Sequence, residues 1–199
     1  MIIGLTGGIA TGKSESAKYL KMLNVYTIDA DEISRNIITE DITVLNKLVK
    51  NLGRNILSSN GNLNRQKLAD IIFSDRKSKL IVEKIIHPYV ISKINKMIEQ
   101  KIDKYNNIVI DVPLLFEVGL NRICDKTVVI WVPYDIQIQR LTLRNKFNIE
   151  QIEKRIYSQM PIEKKVKLAD FIIDNTGSKS DLKKKIEDLH LLLISKNKR

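Results

Sequence analysis

Met1-Ile2-Ile3-Gly4-Leu5-Thr6-Gly7-Gly8-Ile9-Ala10-Thr11-Gly12-Lys13-Ser14 runs an apolar β-type segment into a glycine-rich turn, with a helix expected from about Lys13. The spacing Gly7-x-x-x-x-Gly12-Lys13-Ser14 is that of a phosphate-binding loop. Gly7 and Gly12 let the backbone turn tightly and approach phosphate oxygens, because no Cβ intervenes. The loop and the helix start after it, Gly8, Ile9, Ala10, Thr11, Gly12, Lys13, Ser14 and Glu15, are therefore expected to cradle a nucleotide polyphosphate on their N–H groups and on the positive end of the helix. Lys13 would reach the β- and γ-phosphates, and the Ser14 hydroxyl suits Mg²⁺, a hard cation that prefers oxygen. A chance glycine turn would not need the strand before it and the helix after it. Two positions depart from the commoner pattern: Ala10 narrows the backbone's freedom, and Glu15 sets a carboxylate at the helix start, where it is expected to point outward.

The remaining composition sets bounds. With 199 residues, 43% of them hydrophobic, the chain can bury one full core, with room for inserted subdomains. No run approaches the ~20 apolar residues of a membrane span, and the N-terminus enters a strand rather than a signal sequence, so a soluble, cytoplasmic protein without a membrane partner is expected. The single Cys124 has no partner for a disulfide and is expected to be a small buried apolar residue. The formal charge of +11 fits an anionic partner. Nucleic acid is not expected, because the basic residues are dispersed, aromatics are only 6% and no readout motif appears. Many of the lysines, such as Lys183, Lys184 and Lys185, read as the solvated face of a helix.

Short β-branched runs alternate with amphipathic stretches, the pattern of an α/β fold with a parallel sheet. Strands are expected at 2–6, 25–28, 108–112, 127–132 and 171–173. Between the second and third lies a helical region, 40–104, punctuated by the turn at 58–62 and by an expected break at His87-Pro88, since a residue before proline is pushed toward extended backbone. A second helical section covers 135–167. The tail from Ser178 begins with cap-type residues and continues with Leu182, Ile186, Leu189 and Leu193 at helical spacing, so it is expected to close the outside of the sheet. The chain reads as one domain: a core of 1–39, 105–134 and 168–199, an insertion at about 40–104 placed to bind a second substrate, and a lid region at about 135–167.

Several side chains could carry chemistry. Asp29 and Asp31 stand at the C-terminal end of the second strand, the edge where open parallel sheets bind ligands. If that strand lies beside the first, one carboxylate can accept the proton of an incoming hydroxyl and the other can order metal-bound water; alternatively either caps the following helix. Asn107-Ile-Val-Ile-Asp111 has the form of an apolar strand ending in a metal-holding acid. In the segment after it, Leu114 to Phe116 suit ordinary packing and Glu117 can line the cleft. Arg140 and Arg144, four residues apart, project from one helix face, where they either clamp phosphates or solvate the surface. His87 and His190 lack metal-ligand company. Asp174-Asn175-Thr176-Gly177 comes too late in the chain for a GTPase role and reads better as a loop against the adenine.

The order of these motifs resembles one family over nearly the whole chain, dephospho-coenzyme A kinase. The features carrying the resemblance are Gly4-Leu-Thr-Gly-Gly-Ile9 with Gly12-Lys-Ser14, Ile28-Asp-Ala-Asp31, Leu63-x-Arg65-x-x-Leu68 leading to Ile72-Phe73, and His87-Pro88. Further along come Asp111-Val-Pro-Leu-Leu-Phe-Glu117, Gln137-x-x-Arg140-Leu-x-x-Arg144, Arg155-x-x-x-Gln159 and Ala169-Asp-x-x-Ile-Asp-Asn175-x-Gly177. The resemblance implies a three-layer P-loop kinase fold with a parallel five-stranded sheet, an inserted helical substrate-binding region and a helical lid. It implies transfer of the γ-phosphoryl group of ATP to the ribose 3′-hydroxyl of dephospho-coenzyme A, the last step of coenzyme A synthesis, with Mg²⁺ as cofactor. In the implied site Asp31 is the base, and Lys13, Arg140 and Arg144 bear the charge of the moving phosphoryl group. Asp31, Arg65, His87 and Leu114 lie at the acceptor. Asn175 and Gly177 lie near the ATP base, and Ser14 and Asp111 hold the metal, with Asp29 acting through water. A monomer or weak homo-oligomer is expected. A nucleotide-binding ATPase or switch, and a kinase of nucleosides or nucleotides, are the alternatives.

Overall fold

In a computed structural model describing residues 1–144 and 148–196, the β-branched runs become five parallel strands. They are β1 (Ile2–Gly7), β2 (Tyr26–Asp29), β3 (Ile108–Asp111), β4 (Lys126–Trp131) and β5 (Phe171–Asp174), in the order β2-β3-β1-β4-β5. The expected strands agree to within one residue at nearly every end. The condition set on β2 is not met: it does not lie beside β1, because β3 sits between them. Burial explains the order. Ile108, Val109 and Ile110 are all at most 1% exposed, as a strand covered on both faces and both edges requires, whereas Tyr26 and Thr27 of β2 are half-exposed and suit an edge.

The chain divides into two compact units, one of Met1–Asp29 with Ile98–Arg199, the other of Ala30–Met97. In the first, Ile3 and Leu5 of β1, Val109 of β3 and Val128 and Ile130 of β4 form one face of the sheet. Against it pack Ala17 and Leu20 of α1 (Lys13–Met22) and the stripe Leu182, Ile186, Leu189 and Leu193 of α9 (Lys179–Lys196). At ~25 cal/mol per Å² of apolar surface buried, such a cluster is the main favourable term in the unit's stability. Before α9, the Ser178 hydroxyl accepts from the Asp181 N–H while the Asp181 carboxylate accepts from the Ser178 N–H, the reciprocal cap its residue types foreshadow. Gly4 faces the opposite side, where a Cβ would stand 2.7 Å from Leu115. Cys124 lies on that side as well, half-buried rather than buried, and burial raises its thiol to about 12. The 135–167 section is α6 (Tyr134–Arg144), α7 (Ile149–Tyr157) and α8 (Ile162–Leu168); its residues 145–147 lie outside the described residues, as do 197–199 of the expected core.

The second unit holds α2 (Ala30–Glu40), α3 (Ile42–Leu52), α4 (Arg65–Ser74) and most of α5 (Arg76–Lys101). The break expected at His87-Pro88 does not occur, since Pro88 lies inside α5. Proline there removes one helical hydrogen bond and crowds the preceding turn, at about 3 kcal/mol. The buried stripe Val82, Ile86, Val90, Ile94 crosses Pro88 at four-residue spacing without interruption and offsets that cost, so packing overrides local preference. No described helix is long and apolar enough to cross a membrane.

Candidate active site

Beyond β1 the chain forms the expected loop, and its hydrogen bonds orient it. The carbonyls of Gly8, Ala10, Thr11 and Gly12 each accept a bond: from Thr11 Oγ1 at 2.9 Å, from Arg140 at 3.4 Å, from the Asn175 side chain at 2.7 Å and from Ser16 Oγ at 3.1 Å. With the carbonyls held this way, the N–H groups of Gly12, Lys13 and Ser14 meet no protein acceptor among the described residues. Gly12 caps α1 without a side-chain bond, leaving the first-turn N–H groups available to an anion. Gly12 has φ +98°, and a Cβ there would lie 2.1 Å from Asn175 Nδ2. Gly7 meets a different demand: its φ is not positive, but a Cβ would stand 2.9 Å from the Ile130 carbonyl. Glu15 is half-buried on the flank of α1; burial first, and the Glu15 carboxylate second, raise the Tyr19 phenol one turn on.

Ala10 adopts φ +62°, a left-handed conformation that costs an L-residue about 1–2 kcal/mol. Glycine would relieve that strain but lose about 0.4–1 kcal/mol through the unfolded chain. Ala10→Gly is therefore expected to raise Tm by about 1–4 °C in a thermal melt without nucleotide; a lower Tm would show that contacts of the methyl group outweigh the strain.

The C-terminal end of β3 and the segment after β5 both bond to the loop. Asp111 ends β3, nearly buried, and Lys13 Nζ donates to its Oδ1 at 2.5 Å. Asp29, which ends β2, is its register partner on the neighbouring strand, so two carboxylates stand side by side at the sheet edge. Asp31 lies in the first turn of α2 rather than on the strand, in the second unit. Arg140 Nη2 donates to the Asn175 carbonyl at 2.7 Å, joining α6 to the loop after β5, while Arg144 is exposed at the end of α6. Asn175 is buried with its amide committed to the phosphate loop, and Gly177 two residues on is exposed. Leu114 is half-buried behind β3.

Two further side chains, neither given a role by the sequence reading, hold this region together. Gln159 Oε1 accepts from the Ile9 N–H at 3.1 Å. Lys165, in the expected lid region, is fully buried: its Nζ donates to the Pro113 carbonyl at 2.5 Å and pairs with Glu117 at 2.9 Å. Burial lowers its ammonium below the ordinary lysine range, the Glu117 carboxylate opposes this, and the nearby Lys13 charge adds to the lowering. Helical spacing from buried Ile162 to Lys165 is the signal that could have placed it inside.

Within the second unit, Arg65 and His87 line a common cleft of about 480 Å³. Its walls are apolar, with Ile38, Leu68 and Ile86 among them, and Arg35 and Lys79 also line it; neither basic residue is singled out by the motifs. Asp31 does not line it.

Comparison with known proteins fits this arrangement. The family model for dephospho-CoA kinase (CoaE) matches residues 1–181. A dephospho-CoA kinase from Fusobacterium nucleatum is 43% identical over 187 residues, 94% of this chain and 95% of its own length. One from Carboxydothermus hydrogenoformans is 43% identical over 178 residues, 89% of this chain and 86% of its own. The solved dephospho-CoA kinase of Campylobacter jejuni matches with a TM-score of 0.74 and 32% identity, covering 100% of this chain and 98% of that one. A kinase fold built on a phosphate loop and a match of this extent lead to one assignment: the chain belongs to the dephospho-CoA kinase family.

Proposed function

We propose that this chain transfers the γ-phosphoryl group of ATP to the ribose 3′-hydroxyl of dephospho-coenzyme A, giving coenzyme A and ADP. The observation carrying the proposal is the loop of residues 8–14, whose carbonyls at 8 and 10–12 are engaged and whose N–H groups at 12–14 meet no acceptor among the described residues. In the reaction the 3′-oxygen forms a bond to the γ-phosphorus, the bond from that phosphorus to the β,γ-bridging oxygen breaks, and the hydroxyl proton leaves. Asp31 takes that proton as general base. Lys13 carries charge on the β- and γ-oxygens, and Arg140 and Arg144 add positive charge on the lid side. Asn175 holds the shape of the phosphate loop, and Gly177 lies at the adenine. The largely apolar cleft lined by Arg65 and His87 offers a guanidinium and an imidazole to a phosphorylated substrate with a long flexible arm, and Leu114 is assigned separately as an acceptor contact.

The donor set suits Mg²⁺ shared with nucleotide phosphates. Ser14 and Asp111 offer a hydroxyl and a carboxylate, with Asp29 in register to hold a water. Among the described residues no three His, Cys, Asp or Glu side chains gather as a complete cage, so phosphate oxygens would complete the shell. Bound there, Mg²⁺ would neutralise charge on the β- and γ-phosphates. We place the enzyme in the cytoplasm as a monomer or weak homo-oligomer.

The test is ADP release from Mg-ATP with and without dephospho-coenzyme A, with adenosine and AMP as competing acceptors. Stimulation by dephospho-coenzyme A, with coenzyme A formed in step, is expected. Stimulation by adenosine or AMP instead would overturn the acceptor assignment, and acceptor-independent hydrolysis would favour an ATPase.

A further inference from the structure

A buried ammonium is costly, and apolar residues of like volume usually stabilise a fold as well or better, so stability alone does not account for Lys165. Its contacts lead toward the phosphate loop. The Pro113 carbonyl that receives Lys165 Nζ also receives the Thr6 hydroxyl of β1, at 2.9 Å. Between them, the Val112 N–H donates to the Leu5 carbonyl at 2.9 Å. Glu117, the other partner of Lys165, accepts from the Met160 N–H at 2.9 Å just before α8. The segment that follows β3 is thus bolted on one side to β1 and on the other to α8, and two residues before Pro113 stands Asp111 with Lys13 on its carboxylate.

We propose that Lys165 is a positioning residue for phosphoryl transfer: by holding the Pro113 carbonyl and Glu117, it fixes the end of β3 so that Asp111 sets Lys13 at the phosphates. The proposal rests on the phosphoryl-transfer reading above. Lys165 touches no reacting atom, and its influence runs through Asp111.

The experiment compares Lys165→Met in the wild-type and Asp111→Asn backgrounds, recording kcat, both KM values, Tm and the Kd of a fluorescent ATP analogue. A loss of about tenfold or more in kcat is expected at temperatures well below Tm, since small misplacements at a reacting centre reach ~10² in rate. The KM for dephospho-coenzyme A should stay within about twofold. In the Asp111→Asn background the further loss should shrink to about threefold or less, because the two changes share one route. Should Asp111→Asn turn over too slowly, the same non-additivity is read in the Kd. Equal losses in both backgrounds, or wild-type kcat with only a lowered Tm, would overturn the proposal. If Lys165→Met does not fold, Glu117→Gln at the outer end of the pair should lower kcat about threefold with the same non-additivity; unchanged kcat would overturn it. A wild-type protein that makes no coenzyme A would fail the functional reading instead, leaving Lys165 to be judged on the Kd alone.

Discussion

Asp31→Asn is expected to bind ATP within about threefold of wild type while coenzyme A formation falls by about 10²–10⁴-fold, the range for removal of a positioned general base. The amide keeps the size and hydrogen-bonding outline of the carboxylate and is equally at home at the start of a helix, but it cannot accept the hydroxyl proton. The nucleotide contacts assigned here belong to residues 8–15, 175 and 177, and Asp31 is exposed in the first turn of α2, so affinity and turnover should separate. A nucleotide titration beside a coenzyme A assay checks both. Near-normal turnover would remove Asp31 from the base role, and a parallel fall in ATP affinity would reassign it to nucleotide binding.

Lys13→Ala is expected to reduce kcat/KM for ATP by about 10³-fold, around 4 kcal/mol of transition-state stabilisation. Two effects add. The cation that would follow the phosphoryl charge is gone, and the Asp111 carboxylate, 8% exposed, keeps its negative charge beside the phosphates without this lysine. Breaking a pair this buried also destabilises by about 3 kcal/mol, which in a chain of this size lowers Tm by about 6–12 °C. Adding Asp111→Asn should recover part of the Tm but not the activity. If the double variant regained activity as well, Lys13 would matter chiefly as a counter-ion to Asp111.

Much of this fold is legible in the chain because local and global demands agree. Alternation of β-branched runs with helical stretches places all five strands, and Gly12-Lys13-Ser14 marks the phosphate end by spacing alone. Strand order is not legible: both β2 and β3 are short apolar runs ending in aspartate, and only the complete burial of Ile108 to Ile110 shows which is central. Pro88 misleads for a related reason, since its helix is held by Val82, Ile86, Val90 and Ile94, a tertiary matter. Lys165 is hidden among Lys164 and Lys167, where composition says solvent and only packing against Pro113 says otherwise. Arg65 and His87 stand out by their motifs, whereas Arg35 and Lys79, which share their cleft, have no signature of their own.

The bond from Asn175 to the Thr11 carbonyl joins residues 164 positions apart. On a ribosome adding about 5–20 residues per second, the loop emerges roughly 8–33 s before the side chain that braces it. For the earlier part of that interval β1 also lacks β3 and β4, and parallel pairing over such separations is slow to form. The first segment made is thus among the last to take its working shape. A nascent chain that stalls before β5 would carry the whole glycine-lysine motif yet lack the brace, so nucleotide could rescue full-length chains from misfolding but not truncated ones.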